Sequence, residues 1–559
     1  MTLEEKLTTG LRPVIILGGL GLLLYVLFLG NRDLWFPDEL DVGEACRAMY
    51  ISGDWVVPRH NQKPWLDYPP LTYWAASSCC YLMGGISEFA LRLPSALAAI
   101  ALVLATYAFI SYFYDRMTGL ISGFLLLTSP HFIYQAVNIH VDMVFTALLA
   151  GGLLLYVWGT QNERKDWLAC AGGFALFGLA VLAKGPLGLL LPGMVLVLWH
   201  LSRREWKRLA AMAPLTLVAL VVITPWYLSC IDALGREKFW HEITAQNLNR
   251  FSAAGRGHGR PWHYYLGKFL PDMAPWSLFF PLAVFQFVKR GLWEKPLSRF
   301  FLIWAVSVFA FLTLAATKRE VYLLPAYPAF AFLTGCYLKE SFFTHGGSAL
   351  PGSQYGKFII YGYSILFCLI GIAAFVVPLT PHSLLGNLRG FSRHKEVVDG
   401  LKLPFICLAS VLVTGGALTI LSLWKKGVHV ALLVSSLTLI PLHIVVFGWA
   451  LYVVNPSRSY RPMAEWVAKQ IGEEDPVLFI YVNDPATKVA GCTFYGGFHA
   501  KVDENPDERN LLKFFAEHPE SVAVIHHPTL QKQLKTSQNL RHLKTFHVSR
   551  FVYDVVAAK

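Results

Sequence analysis

Apolar residues in this chain are gathered into long blocks separated by short polar breaks. Thirteen blocks are free of Asp, Glu, Lys and Arg, and run roughly over 13–30, 93–113, 117–137, 143–160, 167–183, 185–201, 209–230, 273–288, 300–316, 321–338, 358–378, 403–424 and 428–453. Lipid offers the backbone no hydrogen-bond partner, so blocks of this length, roughly 17–25 residues, must be helices, and they are long enough to cross a bilayer. A fourteenth block, 71–84, is short for a span and suits a helix lying at the interface. No small-residue cleavage site follows the block 13–30, so it is expected to be retained as the first helix.

The polar breaks orient this pattern. With the N-terminus inside and 71–84 not crossing, the cytoplasmic loops carry Asp115-Arg116, Arg164-Lys165, Arg203-Arg204 through Lys207-Arg208, Lys289-Arg290 with Lys295 and Arg299, and Lys425-Lys426. Basic residues concentrate on the cytoplasmic side of membrane proteins. Counting 71–84 as a span would invert every later loop and export most of these bases. The expectation is about thirteen transmembrane helices in a domain over 1–454, with outer loops 31–92 and 231–272, the first holding interfacial helices. A small α/β domain follows over 455–559, on the same outer side. In that tail 477–482 and 522–526 read as buried strands and 508–517 as an intervening helix. The tail lacks a Gly-rich phosphate fingerprint.

Composition agrees and removes other classes. Apolar residues make up 55% of the chain and charged residues 15%, against roughly 25% charged in soluble domains. The formal net charge of +12 would suggest nucleic acid in a soluble protein. Here it sits in the inner loops, and no nucleic-acid partner is expected. The nine cysteines contain no C-x-x-C spacing and mostly lie in apolar runs, where they read as small hydrophobes.

The same topology collects the remaining charges on the outer face. Asp38-Glu39 follows the first span, and two adjacent carboxylates there suit general-base work, a cation or a sugar hydroxyl, or simply solvated charge. Asp142 opens a helix after Asn138-Ile139-His140-Val141, where N-capping explains it and a central cavity would also use it. His140 reads as an interfacial imidazole or a proton acceptor. Lys184, ahead of Gly185-Pro186, and Lys318-Arg319-Glu320 are cations where the inside-positive pattern makes them scarce. Arg256, His258 and Arg260 lie in a Gly-rich stretch of the second outer loop. Snorkelling explains each one singly; gathered together they suit a phosphate. Lys63, Asp67 and Tyr68 lie in an aromatic, proline-rich run ending in Tyr73-Trp74, where Trp and Tyr act as interface anchors. No His/Cys/Asp cluster has zinc spacing, so no metal ligands are assigned, although a divalent cation is compatible with the carboxylates.

At these residues the sequence resembles the bacterial members of the protein O-mannosyltransferase superfamily, with the GT-C fold, and within it the lipid A aminoarabinose transferases. The resemblance rests on Asp38-Glu39 with Glu44-Ala-Cys-Arg-Ala-Met49, Ser52-Gly-Asp-Trp-Val-Val-Pro-Arg59 and Tyr68-Pro-Pro-Leu-Thr-Tyr-Trp74. It continues through Asp142, Ala183-Lys-Gly-Pro-Leu187, and Lys318 with Tyr322-Leu-Leu-Pro325. Phe239-Trp-His-Glu242, Asn249-Arg-Phe251 and Trp262-His-Tyr-Tyr265 resemble the large outer loop of that family, and the likeness runs in order over roughly 12–340.

The resemblance implies an inverting sugar transfer in the bacterial inner membrane. The donor would be a polyprenyl (undecaprenyl) phosphate sugar. The acceptor would be lipid A or another envelope glycolipid at the periplasmic leaflet. Asp38 and Asp142 match the family's catalytic pair; Glu39, Lys63, Asp67, Tyr68, His140, Lys184, Arg256, His258, Arg260, Lys318 and Tyr322 are the expected substrate contacts. The lipid-linked sugar is then the only cofactor-like partner called for, beside membrane lipids. Two departures bear on which sugar and acceptor are used: Asp41 stands where the transferases have Arg, and Tyr68-Pro69 where they have Lys-Pro. A protein acceptor is the nearest alternative. A flippase is the alternative of another class, but flippases place ionisable groups within spans.

Overall fold

The computed structural model describes residues 7–161, 166–252, 260–315, 317–343, 353–380, 395–472, 475–481, 485–503, 508–526, 539–549 and 551–559. The expected apolar blocks fall on helices throughout. Helix α1 (Arg12–Gly21) continues as a π-helical turn, Leu22–Val26, and leads into the first outer loop. That loop folds as α2 (Asp38–Ser52), a hairpin of β1 (Arg59–His60) with β2 (Lys63–Pro64), and α3 (Leu71–Leu82). The block expected not to cross is thus a short helix, α3, whose Tyr73, Ala76 and Cys80 pack into the same core as Cys46 and Met49 of α2.

The bundle continues as α4 (Glu88–Phe113), α5 (Arg116–Leu127), α6 (Pro130–Ala136), α7 (Val141–Gln161), α8 (Trp167–Lys184), α9 (Leu187–Ser202) and α10 (Trp206–Leu234). The second outer loop contributes α11 (Arg236–Ser252) and α12 (Tyr264–Asp272). Then come α13 (Phe280–Lys289), α14 (Pro296–Leu314), a 3-10 turn Glu320–Ala326 leading into α15 (Tyr327–Phe342), α16 (Ser353–Val376), α17 (Lys395–Lys425), α18 (Val428–His443) and α19 (Leu451–Arg458).

Among the described residues nine helices are long and apolar enough to cross a membrane, and α5 with α6, bent by 67°, would make ten. Three shorter apolar helices, Arg12–Val26, Leu187–Ser202 and Trp276–Lys289, occupy the remaining blocks. Length and composition therefore support nine or ten candidate spans among the described residues and do not by themselves reach the thirteen expected.

Helices α7 and α8 run antiparallel in close contact, because small residues let their backbones approach. A Cβ added at Gly152 would lie 2.5 Å from the Phe177 ring and 2.8 Å from the Gly173 carbonyl oxygen. This contact brings the start of α7 beside the end of α8. Gly185, with φ +81°, turns the chain immediately after Lys184, a conformation that favours glycine. A cation in the last turn of α8 also complements that helix's dipole.

The two ends of the bundle are chemically distinct. Arg116, Arg203, Arg290 and Arg299 lie at the end where α4, α9 and α13 stop, and Arg116 donates to the Thr8 carbonyl there (3.0 Å). The other end, about 30 Å away along the length of α7, carries Asp38 and Asp142.

The tail docks on that second end. It comprises α20 (Arg461–Ala468), β3 (Val477–Tyr481), α21 (Pro485–Gly496), β4 (Ala500–Asp503), α22 (Glu508–Glu517), β5 (Ala523–His526), β6 (Leu540–Val548) and β7 (Phe551–Ala558). The sheet order is β4-β3-β5-β7-β6, with β3 parallel to β4 and β5, and β7 antiparallel to β5 and β6. The two strands and the helix expected from sequence are β3, β5 and α22; Val482, the last residue expected in the first strand, lies outside the described residues. Strands β4, β6 and β7 are additions.

The tail shares a hydrophobic core with the first outer loop, in which Leu34, Leu40 and Met49 meet Tyr460, Met463 and Val489. Gly43 permits this packing: a Cβ there would meet Leu34 at 2.4 Å and the Phe494 ring at 3.5 Å. Polar contacts close the seam. Arg461 pairs with Asp33 (3.1 Å) and with Glu88, the Leu34 N–H donates to the Tyr495 hydroxyl (2.6 Å), and Asn61 at the hairpin tip donates to the Ala500 carbonyl (2.7 Å).

Candidate active site

Asp38 begins α2, where the positive end of the helix favours a carboxylate. Asp142 lies in the first turn of α7 and Lys184 in the last turn of α8. His140 stands in the short link between α6 and α7. The fold joins these into one chain of charges. Arg319, just before the 3-10 turn, donates to Asp38 Oδ2 (2.5 Å), and His140 Nε2 lies 3.6 Å from the same oxygen. His140 Nδ1 meets Asp142 Oδ2, and Lys184 Nζ meets Asp142 Oδ1. The Lys184 ammonium also sits 4.5 Å from the centre of the Tyr322 ring, a cation–π contact.

Exposure separates the two aspartates. The Asp142 side chain is 2% exposed and the Asp38 side chain 36%. Asp142 is therefore enclosed with both oxygens engaged by Lys184 and His140, while Asp38 faces the open side. Burial alone would raise the Asp38 pKa, but His140 and Arg319 hold it well below the usual carboxylate range. Burial would lower that of His140, but Asp142 and Asp38 raise it from 6.5 to about 9. The imidazole is accordingly a cation at neutral pH, and the fixed cations of the cluster outnumber its carboxylates.

Glu39, next to Asp38 in sequence, has a different place. It is 5% exposed. Arg32 donates to it at 2.6 Å and 3.3 Å, Arg92 at 2.8 Å and 3.1 Å, and the N–H groups of Trp35 and Ile139 at 3.0 Å and 3.3 Å. Burial opposes its charge, yet the two guanidiniums bring its pKa down to about 2. Arg32 also donates to Asn138 (2.5 Å). Glu39 is thus clamped between the first outer loop and the 138–139 link, with its oxygens spent on protein partners. It braces the start of α2 against that link, and it also borders the crevice that opens beside Asp38.

Lys318, one of the four cations expected to meet the phosphate beside Lys184, Arg256 and Arg260, donates its ammonium to the carbonyls of Ala315 (2.6 Å) and Arg260 (3.3 Å). The neighbouring Arg319 is the cation of this pair that reaches Asp38. Arg260 contributes that carbonyl while its side chain is exposed. Tyr68 lies within electrostatic reach of Arg319. Asp67 is half-buried between the hairpin and α3, and Lys63 is exposed on the hairpin. Arg256 and His258 lie outside the described residues.

A crevice of about 60 Å³ opens beside Asp38, lined by Trp35, Tyr134, Gln135, Asn138, His140 and Arg458. Arg458 and Arg32 flank the Trp35 ring at 4.9 Å and 4.5 Å. Arg32, Arg92 and Arg458 are the site residues that sequence reasoning passed over, and Arg319 was named there only as part of Lys318-Arg319-Glu320, with no contact assigned to it. Among the described residues no group of three or more His, Cys, Asp and Glu gathers as a metal-ligand set.

Comparison with known proteins adds to this geometry. A family model described as dolichyl-phosphate-mannose-protein mannosyltransferase matches residues 67–228. An undecaprenyl phosphate-alpha-4-amino-4-deoxy-L-arabinose arabinosyl transferase of Shewanella sediminis is 29% identical over 362 residues, covering 64% of each chain. A second such transferase, from Pseudomonas fluorescens, is 30% identical over 396 residues, covering 69% of this chain and 64% of its own. The chain thus spans just under two thirds of the length of these curated relatives. The crystal structure of ArnT from Cupriavidus metallidurans bound to undecaprenyl phosphate superposes with a TM-score of 0.77 at 21% identity, covering 98% of both chains. The oligosaccharyltransferase AglB of Archaeoglobus fulgidus, in complex with an inhibitory peptide and a dolichol-phosphate, superposes at 0.51 with 12% identity, covering 92% of this chain and 69% of that one. The chain is therefore a multi-span membrane protein with the GT-C fold, and it resembles the aminoarabinose transferases.

Proposed function

We propose that this protein is a glycosyltransferase of the bacterial inner membrane that moves a sugar, with inversion, from a polyprenyl (undecaprenyl) phosphate donor to lipid A or another envelope glycolipid. The observation that carries this reading is the chain Arg319–Asp38–His140–Asp142–Lys184, assembled from four separate stretches of sequence at one end of the bundle. The ArnT structure with undecaprenyl phosphate and the arabinosyl transferase relatives support the donor class.

In the reaction the bond between the anomeric carbon and the donor phosphate oxygen breaks as an acceptor oxygen attacks the opposite face of the sugar. The phosphate leaves as an anion, and fixed cations already in position stabilise it without reorganising. Arg319 and Lys184 are the cations best placed for this, with Tyr322 holding the ammonium. Asp38, on the open side, faces the positive charge that develops on the sugar ring. A carboxylate held so firmly ionised is a weak base at neutral pH. That favours an acceptor arriving as an anion, such as a lipid A phosphate, over a hydroxyl that needs its proton removed. Asp142 keeps His140 charged and oriented.

The donor-side site belongs on the periplasmic face, with the N-terminus cytoplasmic and the tail periplasmic. Support comes from the basic residues gathered at the other end of the bundle beside Thr8. The ionised groups stand at helix ends, not at mid-span, which speaks against a flippase. A protein acceptor, suggested by the family description matching 67–228, is the second reading.

Mass spectrometry of envelope lipids from cells with and without the protein tests the reading. The expected result is a glycolipid mass increase that names the sugar and is absent from the Asp38→Asn and Asp142→Asn variants. An unchanged lipid profile with a new glycan on proteins would select the second reading. Full activity in both variants would remove the assigned roles.

A further inference from the structure

A second cavity lies away from the carboxylate end. It lies at the basic end, about 610 Å³ in volume, where α7 stops and α8 and α10 begin. Its wall presents Arg204, Lys207 and Arg208 together with the indoles of Trp167 and Trp206. The two indoles are 60% and 63% exposed, and each is the first residue of its helix. The phenol-bearing Tyr156 forms part of the floor.

We infer that this cavity binds the phosphodiester headgroup of an anionic phospholipid in the leaflet at that end of the bundle. Three features point to such a ligand. The cavity adjoins helix ends that must meet a headgroup layer, and amphipathic indoles rest at that level. Its cations attract the negative surface of a leaflet rich in anionic lipid, and basic pockets between spans take phosphorylated headgroups. A guanidinium and an ammonium side by side can bind the two non-bridging oxygens of a phosphodiester.

One acid, Glu205, also stands in the wall, but it is drawn inward: His200 lies 2.8 Å away, Arg203 2.9 Å and Arg208 3.9 Å. His200 in turn meets the Tyr156 hydroxyl at 2.9 Å. Among the described residues, Arg204 and Lys207 have no ion-pair partner. Arg204 holds a positive φ of 56°, unusual for a side-chain-bearing residue, and so projects from a tight turn between α9 and α10. None of these groups belongs to the charge chain around Asp142, and the inference does not depend on the transferase reading.

The test uses the full-length purified protein. Thermal melting and native mass spectrometry are followed while phosphatidylglycerol vesicles, phosphatidylcholine vesicles or inorganic phosphate are added. The expected result is retention of phosphatidylglycerol and a rise in Tm that phosphatidylcholine does not reproduce. Phosphatidylglycerol affinity should fall at least tenfold in the Arg204→Ala/Lys207→Ala double variant and survive in Lys207→Arg. Wild-type protein that does not distinguish the two lipids overturns the proposal without recourse to any variant. Undiminished retention by the double variant overturns it as well. Inorganic phosphate stabilising as much as an equal concentration of phosphatidylglycerol would make the cavity a soluble-anion site and end the lipid assignment.

Discussion

The two ends of the bundle handle charge in opposite ways. At the basic end the ion pairs are partly exposed: Arg290 and Glu340 side chains are 31% and 18% exposed. At the other end Glu39, Arg32, Arg92, Asp142 and Lys184 are all under a tenth exposed. An exposed pair gains little, because water and salt screen it. A buried pair can be neutral or costly in net terms, yet removing one partner leaves an uncompensated charge out of water. The lesson is that the basic end tolerates change, whereas the carboxylate end is committed to one geometry. That rigidity is what the proposed transfer needs, since a preorganised site stabilises a departing phosphate without rearranging.

The contrast can be broken most forcefully at Glu39. Glu39→Gln leaves Arg32 and Arg92 facing each other without a counter-charge, and should cost about 3–5 kcal/mol. Denaturant unfolding in detergent would read this loss, and a change under about 1 kcal/mol would show that the clamp is not holding the loop. Asp142→Asn strands Lys184 in the same way and should cost a similar amount, with transfer abolished in the lipid assay.

Asp38→Asn is the sharper chemical test. Its side chain is over a third exposed, so stability should fall by no more than about 1 kcal/mol while transfer is lost. Folding and chemistry thus separate at Asp38 and coincide at Asp142. Equal destabilisation by both variants would contradict the difference in burial.

His140 gives a pH-dependent version. Its folded pKa, about 9, lies above the ordinary value of 6.5. The stabilisation it provides is therefore complete below about pH 6.5 and disappears as pH rises through about 9. The Tm difference between wild type and His140→Gln should shrink across that window, and a difference that stays constant would mean the imidazole is not held charged. At the basic end Arg290→Ala should shift stability by less than about 1 kcal/mol, the smallest effect expected, measured in the same unfolding experiment.

Much of this was legible from the chain. The apolar blocks all fall on helices, and the short block 71–84 forms a helix of only 12 residues. Asp38, His140, Asp142, Lys184 and Tyr322 could each be named because charged or aromatic residues at helix ends on one side of a membrane are few. The exact neighbours were not legible. Lys318 and Arg319 are adjacent in sequence, and only the 3-10 turn that follows decides which one reaches Asp38. Arg32 and Arg92 look like ordinary charges flanking spans, and nothing local ties them to Glu39, up to fifty-three positions away. Of the tail strands that escaped, β6 exposes many polar side chains and so lacks a continuous apolar signal.

By itself the sequence determined that the chain crosses a membrane repeatedly and that its rare acids and stray cations lie together on one face. Burying backbone in lipid is so costly that hydrophobic blocks dictate helices, and charge is excluded from their interiors for the same reason. Only the tertiary structure decided which of two neighbouring acids is spent on holding the loop and which stands open beside the crevice. Side-chain direction at a helix start depends on how distant elements pack, and a pairing between such elements leaves no trace in the local order of residues.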